Sequence, residues 1–339
     1  MKMNKEMMEK PIVRVGKGEI QATEKYKYLG DQYDESGKNL SKIEKKMEKA
    51  SYIVSEIKRS GSYEEVGEAD TEIRIMLLQT VVKPTLLYNT ETWVNIRSDE
   101  WKKISSTHYE ILRKTFEQKH STPYWGIIAE SGIWPYMYEV IYKRLMLFHH
   151  LIHSDEKRIT RKMIINQMEK KEENYTWYAG VRCWLEEIRV RNDINEIKKM
   201  TKSEWKKKVK RGIEQKIDEE VKKKMSEMKK LRYVQRFEKK EYMRTCNMTK
   251  VKRIMKMRLN MVEVKKNFRG KYDDMMCLAC REDEETTEHV IMCREYRRLV
   301  GHDIRDIQMN NLKWQIEASK VYDKIEETRK WLIGKANEQ

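Results

Sequence analysis

Four potential metal ligands lie within 17 residues near the end of the sequence and strongly constrain the local fold. Cys277, Cys280, His289 and Cys293 are spaced as Cys-x2-Cys-x8-His-x3-Cys. The first pair fits a tight turn that presents two sulfur atoms, and the second pair would point the same way from one helix. Thiolates and imidazole are ligands that Zn²⁺ prefers, and four of them make a closed tetrahedral site. We therefore expect a structural zinc knuckle with no open position for a substrate.

A simpler interpretation of this block is that its cysteines are structural thiols and that His289 is an ordinary surface residue. Three of the five cysteines in the chain fall inside the block, with ligand spacing at both ends, and this favours the metal site. Cys183 and Cys246 have no such neighbours and are expected to be inert thiols. Cysteines scattered in this way do not indicate a disulfide framework, so we expect a reducing compartment, the nucleus or the cytoplasm.

Scarcity of helix breakers predicts a mainly α fold. The 339 residues include only 4 Pro and 13 Gly, and 37% are charged. Short runs separated by glycines predict a small antiparallel β element at the N-terminal end. The N-terminal residues lack the apolar stretch of a secretory signal, and no apolar run reaches the roughly 18 residues of a membrane span. The expected units are a β element over 1–35, a helical bundle over 36–200, basic helices over 201–260, the zinc knuckle over 270–300 and a helical tail over 301–339.

Positive charge is concentrated in one segment. The net charge of the chain is +17, and residues 201–258 contain 22 Lys and Arg against 8 Asp and Glu. Such a segment is typical of proteins that contact phosphate backbones, although a solvated lysine-rich helix is the alternative. Aromatic residues among the charges, such as Trp205 and Tyr233, favour nucleic-acid binding. The candidate phosphate contacts are Lys206, Lys207, Lys208, Lys210, Arg211, Arg253, Lys256 and Arg258.

Recognisable catalytic motifs are missing from the sequence. We find neither a Gly-x-Ser-x-Gly turn nor a phosphate-binding Walker loop. The Asp273-Asp274 pair lies in a polar stretch without the preceding apolar strand that a two-metal polymerase site needs, so we expect a loop there. His149, His150 and His153 lack carboxylates at ligand spacing and are expected on a helix surface. No catalytic residue is therefore predicted.

The order of several short motifs resembles a known family. Tyr26-Lys27-Tyr28-Leu29-Gly30 precedes a helix with a capping box, and Pro84–Tyr88, Glu91–Trp93 and Ser121–Pro123 precede the Cys-Cys-His-Cys block. In this order, over about residues 10–300, they resemble the C-terminal region of non-LTR (LINE-type) retrotransposon reverse transcriptases. The resemblance implies a palm edge, a thumb-like helical bundle with its connecting region, and a zinc knuckle.

The sequence also departs from this family. The resemblance implies that the palm aspartates holding catalytic Mg²⁺ would precede residue 10, where the sequence has none, and the 46 residues after Cys293 contain no convincing endonuclease core. We therefore expect a nucleic-acid-binding fragment, with RNA or DNA as its partner, that is not catalytic alone. Two alternatives stay open: part of an active RNA-directed DNA polymerase whose catalytic half is encoded upstream, or a helical protein-interaction scaffold with a structural zinc.

Overall fold

Helices dominate the structure, as the composition predicts. A computed structural model describes residues 12–15, 18–21, 25–28, 31–34, 40–59, 71–94, 96–170, 176–268, 270 and 272–337. Within these ranges the regular structure is mainly α-helical, and the strands are confined to residues before 35. None of the helices described is long and apolar enough to cross a membrane.

The N-terminal β element consists of two separate antiparallel hairpins. In each hairpin the register leaves two residues between the paired strands, as in tight hairpin turns. Asp31 in the last strand is buried, and its carboxylate pairs with Lys46 Nζ at 3.1 Å. This ion pair connects the second hairpin to the first helix. The strands are β1 (Ile12–Val15), β2 (Gly18–Gln21), β3 (Lys25–Tyr28) and β4 (Asp31–Asp34).

Ten helices precede residue 228 in the part of the chain that the structure describes. A π-helical turn at Leu78–Val82 separates the second from the third, and a 3-10 turn at Thr90–Thr92 precedes the fourth. They are α1 (Leu40–Arg59), α2 (Thr71–Leu77), α3 (Lys83–Leu87), α4 (Ser98–Thr115), α5 (Tyr124–Ser131), α6 (Tyr136–His153), α7 (Ile159–Glu169), α8 (Trp177–Glu187), α9 (Ile194–Lys199) and α10 (Lys202–Glu227).

Five helices follow in the described part of the chain, and the last of them is long. The 3-10 turn at Lys229–Leu231 precedes the first of them, and the 3-10 turn at Lys265–Phe268 lies between the second and the third. They are α11 (Tyr242–Thr245), α12 (Met248–Arg258), α13 (Thr287–Met292), α14 (Arg294–Val300) and α15 (Leu312–Asn337).

A first hydrophobic core extends from Ile43 in α1 to Met261 after α12, with α6 packed against α3, α4 and α7 to α10. The basic helix α10 belongs to this core. Thr201 caps its start together with Glu204, and an apolar stripe at a spacing of four residues faces inward. Trp205 at the head of the stripe donates from Nε1 to the carbonyl of Leu145 at 3.0 Å. The basic segment is therefore one wall of the bundle. The fully buried stripe is Trp205, Val209, Ile213, Ile217 and Val221.

A second core joins the Cys-Cys-His-Cys block to the C-terminal helix. It includes Cys277 and Cys293 from the block and Trp314 and Ile325 from α15. Helix α12 contributes to both cores, because Met257 lies in the second while the apolar residues before it lie in the first. The block and the tail, which the sequence divides into 270–300 and 301–339, thus share one core.

Candidate metal centre and nucleic-acid interface

The first two ligands of the metal site lie on a short hairpin. An isolated antiparallel bridge between Met276 and Glu284 closes the hairpin. Inside it, the Cys277 N–H donates to the Asp283 carbonyl at 2.7 Å, and the Arg281 N–H donates to the Cys277 carbonyl at 3.1 Å. Arg281 has a φ of 60°, the left-handed conformation that turns the chain back. This turn presents Cys277 and Cys280 to the same side.

The other two ligands come from the following helix and its end. His289 lies in the first turn of α13, where its N–H donates to the capping hydroxyl of Thr286 at 2.9 Å. Cys293 was expected on the same helix as His289, but the structure corrects this: its ψ of 126° places it outside α13, between α13 and α14. Its N–H still bonds to the His289 carbonyl at 2.6 Å. The turn after α13 therefore directs the Cys293 sulfur.

The four ligand atoms are close enough to share one cation, since all lie within 4.8 Å of one another. The sulfurs of Cys277 and Cys293 are 4.0 Å apart, and Cys280 Sγ is 3.4 Å from His289 Nε2. A tetrahedral Zn²⁺ with ordinary bond lengths separates two sulfurs by roughly 3.8 Å and a sulfur from a nitrogen by roughly 3.6 Å. The group can hold a metal ion, and its size and donor atoms are compatible with zinc.

Burial and nearby polar groups shift the pKa values of the cysteine ligands, and a carboxylate lies near the histidine ligand. Burial raises the pKa of the Cys277 thiol to about 12, and burial also raises the pKa of Cys293. Burial acts in the same direction on Cys280, but backbone N–H donors to its sulfur outweigh that effect and lower its pKa. Asp283 Oδ2 lies 3.7 Å from His289 Nδ1, which leaves Nε2 for the cluster. The Asp283 carboxylate is thus near the outer nitrogen of the His289 ring but beyond hydrogen-bond distance.

A buried carboxylate ties the metal loop to α15. Glu285 accepts from the backbone N–H of Lys265 at 2.9 Å and of Leu278 at 3.3 Å, and from the Tyr296 hydroxyl at 3.3 Å. Arg329 from α15 forms an ion pair with it at 2.6 Å, and both side chains are almost completely buried. The conformation of the metal loop and the position of α15 are therefore coupled.

Five of the predicted phosphate contacts lie together on the first half of α10, here called the cationic half. Four are exposed and one, Lys208, is half-buried, because the inward stripe occupies the opposite side of the helix. In the described part of the chain none of the five forms an ion pair, whereas Lys216, Lys222 and Lys224 further along α10 each pair with a carboxylate. The cationic half consists of Lys206, Lys207, Lys208, Lys210 and Arg211.

The three candidates on α12 are placed differently. Arg253 pairs with Asp323 of α15, and Lys256 pairs with Glu326 of the same helix. Arg258 is 1% exposed, a placement that contradicts its expected contact with a phosphate. The basic residues of α12 thus face protein carboxylates, and the structure does not bring them together with the cationic half of α10.

Arg258 forms a charge network between the two cores. Its Nε and Nη2 donate to the carboxylate of Glu130 at 2.6 and 2.9 Å, and the Tyr242 hydroxyl donates to the same carboxylate at 2.8 Å. Arg258 also donates to the backbone carbonyls of Met309 and Tyr233. Burial alone would lower the pKa of Arg258, but Glu130 raises it. The sequence reasoning missed this pair, for which the only signal was a lone carboxylate in the apolar run of α5.

The motif residues of the family resemblance have packing roles where the structure describes them. Trp93 is buried, and Arg144 donates to its carbonyl. Trp177 Nε1 donates to the Glu91 carbonyl at 2.8 Å, and Lys143 Nζ donates to the Leu87 carbonyl at 2.6 Å. Residues 29–30 of the first motif lie outside the described residues. These contacts fix the segment after α3 against α6 and α8.

Two of the three α6 histidines, His150 and His153, are exposed as the sequence predicts, whereas His149 faces the interior. His149 is buried, and its Nε2 lies 3.1 Å from the Met200 carbonyl. His153 lies between the carbonyls of His149 and Lys198, at 2.8 and 3.0 Å from its ring nitrogens. Through these contacts His149 and His153 join α6 to the end of α9 and the residues that follow it. Asp274 lies in a loop, as expected, and pairs with Lys265 at 2.6 Å.

Comparison with known proteins gives no match for this chain: no family model, no curated protein and no solved structure is significantly similar to it. A functional proposal therefore depends on the metal-ligand group and on the cationic half of α10.

Proposed function

We propose that this chain binds nucleic acid through the cationic half of α10 and that its Cys-Cys-His-Cys group holds a structural Zn²⁺. The observation that carries the proposal is the group of five cations, none of which forms an ion pair with a carboxylate in the described part of the chain. An exposed cluster of this kind attracts phosphates and releases their counterions on binding. The metal group then serves to fold the C-terminal core.

The rigidity of α10 supports this role. Its apolar stripe is completely buried, so the helix is held in the bundle and its outer side chains start from fixed positions. Residues 206–211 span about 7.5 Å along the helix axis. One strand of duplex DNA places a phosphate roughly every 3.4 Å along its axis, so the cationic half can reach about two phosphates of one strand, or more across a groove. These contacts would position the chain without selecting a sequence.

The donor set supports zinc as the ion. Thiolates and imidazole are soft or borderline ligands, which disfavour Mg²⁺ and Ca²⁺. Four protein ligands fill a tetrahedral shell, so the bound ion would have no vacant position for a substrate. Zinc in this site would stabilise the fold by bringing the hairpin ligands and the α13 ligands together.

We further propose that the chain corresponds to the C-terminal region of a LINE-type reverse transcriptase and acts there as a non-catalytic binding region. The order of the short motifs from Tyr26 to Cys293 supports this relation. Primer extension by the chain with Mg²⁺ and a templated primer would favour the alternative of a working polymerase. Absence of extension together with nucleic-acid binding is the expected result.

Two matched double variants test the interface. Lys207→Gln/Arg211→Gln removes one Lys and one Arg from α10, and Arg253→Gln/Lys256→Gln removes the same pair of residue types from α12. We expect the first variant to bind a labelled duplex about tenfold more weakly at moderate salt, because counterion release is reduced. We expect the second to stay within about twofold of the wild type, because its side chains already pair with α15. Equal weakening in the two variants would contradict the proposal, and binding by neither the variants nor the wild type would leave the scaffold alternative.

A further inference from the structure

A cavity of about 310 Å³ lies beside the cationic half of α10. Its volume is at the lower end of the range for small-ligand sites. Lys206 and Lys210 of the cationic half line this cavity. The other three cations, Lys207, Lys208 and Arg211, line a different surface cavity. The residues of its wall that carry charge or an aromatic ring are Lys83, Trp134, Glu139, Tyr142, Lys206 and Lys210.

An aromatic corner forms one side of the cavity. The rings of Trp134 and Tyr142 meet edge to face, with centroids 5.9 Å apart and an interplanar angle of 82°. Both side chains are half-buried, so part of each ring is accessible from the cavity. An indole ring that lines a cavity is a suitable partner for a flat aromatic ligand.

The backbone around Trp134 is fixed on both sides. Gly132 ends α5 with a φ of 64°, and a Cβ at this position would lie 2.4 Å from the Lys239 backbone nitrogen. Pro135 begins the next helix as its N-cap, which restricts Trp134 to extended backbone. The tryptophan therefore lies on a short, rigid connection, and little conformational entropy would be lost when a ligand stacks on it.

The charge of the cavity is positive. Glu139 pairs with Lys83 at 2.9 Å, so these two charges compensate one another. Lys206 and Lys210 have no carboxylate partner in the described part of the chain. Their spacing of four residues places both ammonium groups on the same side of α10, next to the aromatic corner.

We propose that this cavity binds a nucleotide of single-stranded nucleic acid, with the base stacked on Trp134 and the adjoining phosphates contacted by Lys206 and Lys210. The inference rests on the proposed function and names the form of nucleic acid bound at that site. An unpaired base can leave the strand and lie on an indole ring, whereas bases in a duplex are held in their own stack. Aromatic stacking tolerates any base, so the site would bind single strands without sequence preference.

Substitution of Trp134 tests the pocket directly. Trp134→Leu is expected to weaken binding of a single strand of about 12 nucleotides by about tenfold, or about 1.4 kcal/mol, while the affinity for a duplex of equal length changes by less than twofold. Trp134→Phe keeps an aromatic ring and should retain most of the single-strand affinity. The matched control is Trp331→Leu on α15, where the indole is 52% exposed, and it should leave both affinities unchanged.

Photochemical crosslinking gives a readout that does not depend on a variant that folds poorly. A single strand containing iodouracil, irradiated with the wild-type chain, should crosslink to the peptide that contains Trp134. Lys206→Gln/Lys210→Gln should reduce that crosslink at equal strand concentration. If single strands bind but the crosslink falls elsewhere, and Trp134→Leu matches Trp331→Leu, the pocket is disproved and nucleic-acid binding stands. If the wild type binds neither strands nor duplexes, the proposed function itself fails.

Discussion

Helices α10 and α12 are both basic but have different electrostatic surroundings. Both are rich in Lys and Arg, and both bury an apolar face. The cations of α12 face the carboxylates of Asp323 and Glu326 in α15 and of Glu130 in α5. None of the first five cations of α10 after Trp205 forms an ion pair in the described part of the chain. The difference in ion pairing depends on the helices that pack against α10 and α12.

This contrast assigns two roles to residues that look alike in the sequence. The α12 charges hold the two hydrophobic cores together, since they connect α12 to elements on both sides. The charges of the cationic half of α10 form no ion pair in the described part of the chain and remain available for an external polyanion. Removing a charge from α12 should therefore affect stability, whereas removing one from α10 should affect binding.

Metal removal should have the largest effect and should separate the two regions. Ligand binding and folding are coupled in small zinc sites, with apparent free energies of about 10–16 kcal/mol in isolated fingers. We expect one zinc ion per chain by metal analysis. A chelator should abolish hydrogen-exchange protection over 275–295 and reduce it in α15 through the Glu285–Arg329 pair.

The protection of α10 should survive chelation, because its stripe belongs to the first core. Cys183→Ser, which alters an exposed cysteine outside the site, is the control and should leave the zinc content unchanged. Protein prepared without a chelator that contains no metal would refute the site.

Loss of Arg258 should have the next largest effect. Arg258→Met leaves Glu130 buried without its cation, and breaking a buried pair in this way costs about 3–5 kcal/mol. Urea unfolding should show this loss, and Arg258→Met/Glu130→Leu should recover much of it because no unpaired charge remains. Arg253→Met, on the same helix but partly exposed, should cost less than about 1 kcal/mol. Equal costs at the two positions would mean that the Arg258 network does not join the cores.

Acidification should produce a smaller loss of unfolding free energy, because the buried His108 is kept neutral in the folded chain. Burial, with a contribution from Lys83, lowers the pKa of His108 to about 3. Its Nδ1 lies 3.0 Å from the Tyr124 hydroxyl and accepts from the Tyr136 N–H at 3.3 Å. The unfolded chain takes up a proton below about pH 6.5 and the folded chain does not, so stability is present above that pH and is lost as the pH falls towards 3.

At pH 5 this loss amounts to about 2 kcal/mol. His108→Asn keeps a hydrogen-bond acceptor but does not titrate. Between pH 7 and pH 5 the unfolding free energy of the variant should therefore fall by about 2 kcal/mol less than that of the wild type. Denaturant unfolding at the two pH values measures the difference. Identical pH dependence in the variant and the wild type would show that His108 is not held neutral.

Composition was sufficient to predict the helical class, and local spacing was sufficient to predict the metal-ligand group. The four ligands lie within one short segment, and their geometry follows from a turn and a helix end. The start of α10 at Lys202 follows from the capping box of Thr201 and Glu204. Cys293 was predicted inside a helix, because its spacing from His289 does not reveal that the chain turns at that residue.

Long-range pairing could not be predicted from the sequence. Arg258 meets a carboxylate 128 positions away, and Lys256 meets one 70 positions away. No local pattern distinguishes these cations from Lys206 or Lys210, which carry the same charge and also lie in a basic segment. The number of charges is a property of the sequence, but which of them face solvent depends on how α5 and α15 pack against α12.

The salt dependence of binding tests most directly whether the cationic half of α10 contacts phosphates. The dissociation constant for one duplex would be measured from low to moderate salt for the wild type and for a variant with Gln at all five positions (Lys206→Gln, Lys207→Gln, Lys208→Gln, Lys210→Gln and Arg211→Gln). We expect a steep log–log slope for the wild type. For the variant we expect a slope shallower by about 0.9 for each phosphate that it no longer neutralises, or about 2 to 3 in all. A wild-type affinity that does not change with salt, or equal slopes for the two proteins, would contradict this role of α10.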